Sequence, residues 1–526
     1  MKIKAYVKEH GILCLILLLA AAVRLIGIGK IPGGVLPDEA YGAYNAWSLL
    51  NEGIDSRGYH FPVYFVAWGS GMSVLYSYLA IPLFALFGAT TVVYRLPQAI
   101  IGILGVYAAY VLGKEILDKR FGLLFALVLA INPWNIMNTR FGLDANMAPD
   151  MLLIAVTLLV LAVGRSRSYF LPAAITLGLT LYCYALSWIV IPVFLLLFLL
   201  VYRKRIPFGR KLVAATVVLF IMACPLLYFV GVNLGIFPEV QTAFFSIPRL
   251  MGFRGEELNL VNVLSSLKTL GSVLLKQYDD VSYTACRETG AYYYFTTPFW
   301  ILGIGMQLVA LFRDREGEKR SLEYVMLLWF ISAGIMCALN SNITVIHSNL
   351  IHIPVIFYGA YGIYQIGKLL KNKVFSAVCL CTLLLSFGVF LGYYVQENKT
   401  SSYFFDEDAT EAITRAREVS ENGEFTIVKP QTINFAVILW NEKIPASEFI
   451  STVVYTGDIG WQSTESFQGF HYVQNLDDVT EDGVYLIPCR YEEEMQYRNY
   501  EIVPVNGTYS LAVRQTQDDS GHSNAE

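Results

Sequence analysis

The sequence predicts an α-helical protein that crosses a membrane many times and carries a small α/β domain at its C-terminal end. Three observations predict it. Of 526 residues, 55% are hydrophobic and 15% charged, with a mean hydropathy of +0.50; a soluble domain carries roughly 25% charged residues. The apolar residues gather into runs close to the ~20 residues that a spanning helix needs. Charge is also split along the chain. Gln396–Glu526 holds 8 Lys and Arg against 23 Asp and Glu, a net −15, whereas the remainder holds 30 against 19, a net +11. An acidic soluble domain of residues 396–515 therefore follows a basic membrane domain of residues 1–395. The polar tail 516–526 reads as disordered.

The first apolar run, Gly11–Ile28, lacks a small-residue cleavage site and has Arg24 near its far end, so it reads as a spanning helix rather than a cleaved signal. Lys2, Lys4 and Lys8 hold the start in the cytoplasm. Further runs follow at 95–116, 120–136, 148–164, 169–186, 189–202, 211–230, 296–312, 322–340, 350–367 and 374–395. The loops rich in Lys and Arg are Lys114–Arg120, Arg165–Arg167, Arg203–Lys211, Arg313–Arg320 and Lys368–Lys373. All of them fall on the cytoplasmic side only if the apolar piece 71–88 does not cross. The expectation is eleven spans in a plasma membrane, with the N-terminus inside and the C-terminal domain outside.

The first outer loop, 29–94, is then long. It opens on Pro37-Asp38-Glu39-Ala40-Tyr41. Two adjacent carboxylates there suit a general base and a charge stabiliser. They equally suit a helix start, with Asp38 as N-cap and Glu39 at the positive end. Glu39–Leu50 has helical spacing with Tyr41, Tyr44 and Trp47, which reads as a surface helix lying on the membrane. A turn-rich stretch with Arg57 and His60 follows. The second outer loop holds Asn132-Pro133-Trp134 and then Arg140 and Asp144, which face water, meet a ligand or form a local i,i+4 pair. The third, 231–295, is a lid or a solvated connection. The fourth carries Asn340, Asn342, His347 and Asn349, with His352 a turn further in. Those side chains hydrogen-bond a phosphate or sugar, or are simply packed and wet.

The acidic domain reads as a helix over 406–421 and β-like runs at 425–429, 435–440, 453–456, 484–488, 500–505 and 509–514. Of eight cysteines, only Cys286 and Cys489 lie in polar segments, where they pair if both face an oxidising compartment. No spacing suggests zinc, a redox pair, an ATP site or a phosphate-cradling loop. The basic residues sit in short loops, which excludes a nucleic-acid partner.

All candidate polar residues thus gather on the outer face, where no nucleotide is supplied. A group transferred there has to arrive on a lipid, and a polyprenyl-phosphate sugar fits. The chain resembles the GT-C superfamily of membrane glycosyltransferases, within it the group of protein O-mannosyltransferases and lipid A aminoarabinose transferases. The likeness runs over residues 10–395. It rests on Asp38-Glu39 after the first helix, Tyr94-Arg95-Leu96-Pro97 opening the next span, Asn-Pro-Trp ahead of Arg140 and Asp144, and a His/Asn loop entering Ile353-Pro354.

The resemblance implies a GT-C fold and an inverting transfer from polyprenyl phosphate to the hydroxyl of a glycan, lipid or protein of the cell envelope. It implies Asp38 as base, with Glu39 supporting the acceptor or shaping the loop. Arg95 would hold loop and donor, Arg140 and Asp144 would form a second-loop pair near the site, and His347 and Asn349 would meet the donor phosphate, where relatives often have Arg. Arg57 and His60 join the donor-binding set. Metal ions assist some GT-C enzymes, but no ligand cluster here supports one, and no other cofactor is expected. A lipid-linked sugar flippase and a non-catalytic envelope scaffold are the rival readings. The one-sided placement of polar groups disfavours a transporter, which needs them near the midplane.

Overall fold

The computed structural model describes residues 2–514 except 69, 207, 253–261, 280, 282, 314–321, 398–401, 406, 421, 430–432, 457–462 and 480–481. The expected tail 516–526 lies outside the described residues. The helices, in chain order, are α1 (Lys2–Leu25), α2 (Pro37–Asn51), α3 (Leu75–Phe87), α4 (Thr91–Ile116), α5 (Lys119–Ala130), α6 (Pro133–Asn138), α7 (Asp144–Gly164), α8 (Phe170–Leu181), α9 (Ser187–Tyr202), α10 (Arg210–Asn233), α11 (Val263–Lys276), α12 (Thr297–Arg313), α13 (Val325–Leu339), α14 (Asn349–Leu370) and α15 (Lys373–Glu397). Shorter helices α16 (Ser402–Phe405), α17 (Ala409–Val419), α18 (Phe435–Glu442), α19 (Ala446–Thr452) and α20 (Glu492–Tyr497) follow. The described residues form two compact units: Met1–Pro32 with Tyr59–Ser401, and Gly33–Gly58 with Ser402–Glu526. Gly33–Gly58, expected in the loop of the membrane domain, thus packs with the C-terminal residues.

The first unit is helical. Seven of its described helices are long and apolar enough to span. Of the other expected spans, α5, α8 and α9 are shorter. The run 120–136 ends at Ala130 because Asn132 caps a new turn, its Oδ1 accepting from Asn135 N at 3.0 Å, with Pro133 at the first helical position. The run 169–186 stops at Leu181. α9 has 16 residues, and α1 is described in its side chains only from Gly11. α3 has 13 residues, about 20 Å at 1.5 Å per residue, which is shorter than a ~30 Å hydrocarbon core. Asp118 caps α5, its Oδ1 accepting from Arg120 N and Phe121 N. α4 and α5 approach closely: a Cβ on Gly113 would lie 2.8 Å from Gly122 Cα, the small-residue contact that lets membrane helices meet backbone to backbone. α10 and α15 leave most of their apolar surface exposed, as helices facing lipid do.

The second unit holds a seven-stranded sheet in the order Val454–Thr456, Ser463–Phe467, Phe470–Val473, Phe425–Val428, Gly483–Pro488, Tyr509–Arg514, Glu501–Pro504. Phe425–Val428 pairs in parallel with both its neighbours, and the outer pairings are antiparallel. Val428, Ile487, Met495 and Ala512 pack in one core cluster. The run 435–440, read as β-like from its apolar residues, is helix α18. Asn434 caps it through Oδ1 on Ala436 N at 2.9 Å, and Lys443 ends it in a left-handed conformation. Cys286 and Cys489 are both thiols, not a disulfide.

Candidate active site

In the first unit, two arginines close on one turn. Arg95, in the first turns of α4, donates through Nη1 to Ile28 O at 2.9 Å and Pro32 O at 2.7 Å. Arg140, just ahead of α7, donates through Nε to Ile31 O and Nη2 to Ile26 O, both at 2.9 Å, and through Nη1 to Val23 O. The carbonyls at the end of α1 have no helical partner, so a guanidinium supplies donors there and complements the negative helix end. Both arginines are buried. The local i,i+4 pair is not formed: Arg140 spends Nε, Nη1 and Nη2 on backbone carbonyls.

Asp144 instead ties α7 to the chain before α3. Its Oδ2 accepts from Ser73 N at 2.8 Å and its Oδ1 from Ala145 N at 2.7 Å. Asn349, at the start of α14, donates to Ala145 O at 2.6 Å. Gln98 and Asn138 donate to Asn146 O at 3.0 and 3.3 Å. Among the described residues, both ends of the Asn146 carboxamide, Gln98 Oε1 and Asn349 Oδ1 are buried with no hydrogen-bond partner; such atoms are the ones that ordered water or a polar ligand satisfies. His347 donates its backbone N–H to Thr344 Oγ1 at 3.2 Å and is half-buried. His352 is fully buried, with Val345 O 2.8 Å from Nε2, Tyr292 OH on Nδ1, and the Trp134 ring edge-on. His60 also belongs to this unit and is half-buried.

A buried chain that sequence reading missed lies behind the turn. Arg24 donates through Nη2 to Asn135 Oδ1 at 2.5 Å and through Nη1 to Ala20 O and Ala130 O. Asn135 Nδ2 reaches Asp150 Oδ2 at 3.2 Å. Arg24, Asn135 and Asp150 are all fully buried. The signal was present: a charged residue inside an apolar run is costly and calls for a partner. Arg24 and Asp150 each stand in such a run.

Asp38, Glu39 and Arg57 belong to the second unit. Asp38 is not an N-cap. α2 starts at Pro37 with Leu36 at the cap position, so both carboxylates lie in the first turn, at the positive helix end. Asp38 is half-buried and Glu39 fully buried. α2 is not an exposed surface helix either. Tyr41 meets Phe435 of α18 edge-on, Tyr44 donates to Ile444 O at 2.8 Å, and Glu52 accepts from Ala446 N and Ser447 N at 2.9 and 3.0 Å. Arg57 lies over the Tyr455 ring at 4.5 Å. Burial alone would lower its pKa, but Tyr41, Tyr455 and Asp55 outweigh that and raise it, so Arg57 stays cationic. Among the described residues no group of three or more His, Cys, Asp or Glu could hold a metal ion.

The family model of dolichyl-phosphate-mannose-protein mannosyltransferases matches residues 72–229. No curated protein matches the chain. Among solved structures, the chain is similar to ArnT from Cupriavidus metallidurans bound to undecaprenyl phosphate: 12% identity, TM-score 0.54, 97% of this chain and 99% of that one. It is also similar to the oligosaccharyltransferase AglB from Archaeoglobus fulgidus in complex with an inhibitory peptide and a dolichol-phosphate: 16% identity, TM-score 0.53, 84% of this chain. The chain covers 64% of the length of that oligosaccharyltransferase. These likenesses show that the chain shares its fold with ArnT and with AglB.

Proposed function

We propose that this chain transfers a sugar from a polyprenyl-phosphate carrier to an extracytoplasmic hydroxyl, with inversion at the anomeric carbon. The observation that carries the reading is the likeness over nearly the whole of both chains to a protein solved with undecaprenyl phosphate. The mannosyltransferase family match supports the same donor chemistry.

In this reading the acceptor O–H gives its proton to the Asp38 carboxylate, and the oxygen attacks the anomeric carbon from the face opposite the phosphate. The C–O bond to the phosphate breaks, and its electron pair leaves with polyprenyl phosphate. Asp38 then returns its proton to water. A carboxylate suits this task if it is held in place and partly desolvated; Asp38 is half-buried in the first turn of α2. Glu39, fully buried, shapes the helix start. Arg57, permanently charged, is assigned to the leaving phosphate, with His60, His347 and Asn349 as further donor contacts. Arg95 and Arg140 act by holding the turn that leads to the acid pair, and Asp144 by fixing the start of α7.

The test is reconstitution in liposomes with labelled polyprenyl-phosphate sugars of several kinds and a mixture of glycan, lipid and peptide acceptors. Label appearing in an acceptor from one class of donor supports the reading. Lipid that crosses the bilayer with its sugar intact, and no labelled acceptor, replaces it with the flippase.

A further inference from the structure

We infer that the C-terminal domain is a positioning element for the acid pair, acting through Glu52 and Tyr44; the inference rests on Asp38 being the base. The segment Gly33–Gly58 carries Asp38 and Glu39, yet its described contacts run to residues beyond 401 along its whole length. Val35 N donates to Phe405 O at the start. Gly34, at φ +67°, has Phe405 O only 2.0 Å from where a Cβ would stand. Tyr41 meets Phe435, Tyr44 meets Ile444 O, the Glu52 carboxylate receives two backbone N–H groups at the start of α19, and Arg57 stacks on Tyr455. The helix that carries the acids is thus fixed at both ends and in its middle by one domain.

The physics favours a role in the reaction over mere packing. A 15-residue helix is marginal by itself in water, so its position depends on what it packs against. A base acts only within hydrogen-bond reach of its proton, and displacement by about 1 Å can cost about 100-fold in rate. Glu52 and Tyr44 touch neither acid in the contacts above. They act on α2 from its C-terminal end and its middle, through buried or capped backbone groups 394 and 400 residues away in sequence.

The test uses the full chain with Glu52→Ala, Glu52→Gln and Tyr44→Phe. Two quantities are read: deuterium uptake of residues 37–51, and kcat against donor KM in the liposome assay. The expectation for Glu52→Ala is faster uptake confined to α2 and α19, kcat lowered roughly 10- to 100-fold, and donor KM within about twofold, because a positioning loss falls on the transition state. Tyr44→Phe gives the same pattern more weakly. Glu52→Gln keeps one acceptor oxygen and recovers most of kcat. Faster uptake with unchanged kcat makes the ties merely structural and overturns the inference, as does unchanged uptake. If the native chain transfers nothing with any donor, the reaction itself is wrong, and uptake still reports whether the domain holds the helix.

Discussion

Arg95 Nη1 stands 2.7 Å from the carbonyl oxygen of Pro32, across 63 residues of chain, and fixes the last residue before the segment that carries Asp38. Arg95 and Arg140 bind five carbonyls within residues 23–32 between them. The turn after α1 is therefore tied to α4 and to the loop ahead of α7 as well as closed by its own hydrogen bonds to Gly27 O. Arg95→Ala leaves Ile28 O and Pro32 O without this donor. A lost partner for a buried polar group costs about 1–3 kcal/mol, so destabilisation of about 3 kcal/mol is expected in detergent unfolding. Arg95→Lys recovers less than half, because an ammonium cannot span two carbonyls as the planar fork does.

The Arg24–Asn135–Asp150 chain predicts strong coupling. Asp150→Ala leaves Arg24 buried without its carboxylate, a loss worth about 3–5 kcal/mol. Arg24→Leu combined with Asp150→Leu removes both charges and costs less than the two single changes summed, by about 1–3 kcal/mol. A double-mutant cycle by chemical unfolding checks it; strict additivity would mean that the charges act independently.

Gly34 predicts a steric lock. Its φ of +67° and the Phe405 oxygen leave no room for a methyl group. Gly34→Ala should lower transfer roughly as Glu52→Ala does and raise uptake over 33–41, while the helices of the first unit keep their protection. Gly88, at φ +83° with open space around it, is the control: Gly88→Ala tests backbone strain without a clash.

Lys443 predicts a pH dependence in the second unit. Burial lowers its pKa from 10.5 to about 7, although its ammonium lies over the Trp440 ring. The unfolded chain then binds more protons than the folded one between about pH 7 and 10.5, so stability rises with pH across that window and is lowest below it. The unfolding midpoint of this unit should climb from pH 7 to 10, and Lys443→Met should flatten the climb and raise the value at pH 7.

Much of the membrane part was legible because hydropathy is local. The long helices lie where the apolar runs are, whereas the piece 71–88 was set apart from the spans by the placement of the Lys- and Arg-rich loops, not by its own composition. Asn132-Pro133 also carried the break between α5 and α6, although the run 120–136 read as continuous. The attachment of α2 to the C-terminal domain was not legible. Tyr44 and Ile444 lie 400 residues apart, and one sequence has no signal for such a partner, so an aromatic amphipathic helix reads as interfacial. Asp150 gives little signal, because one carboxylate barely lowers the mean hydropathy of a long apolar run. Phe435–Trp440 read as a strand because composition outweighed its caps, Asn434 and Lys443.

Transfer by Asp38→Asn decides whether Asp38 takes the acceptor proton. The native chain and the variant are compared in liposomes with one active polyprenyl-phosphate sugar, alongside lipid binding and thermal unfolding. The expected result is loss of at least about 100-fold in kcat, from the 10²–10⁴-fold typical of general base catalysis, with lipid binding and unfolding unchanged. Equal transfer by both chains would contradict it and remove Asp38 as the base.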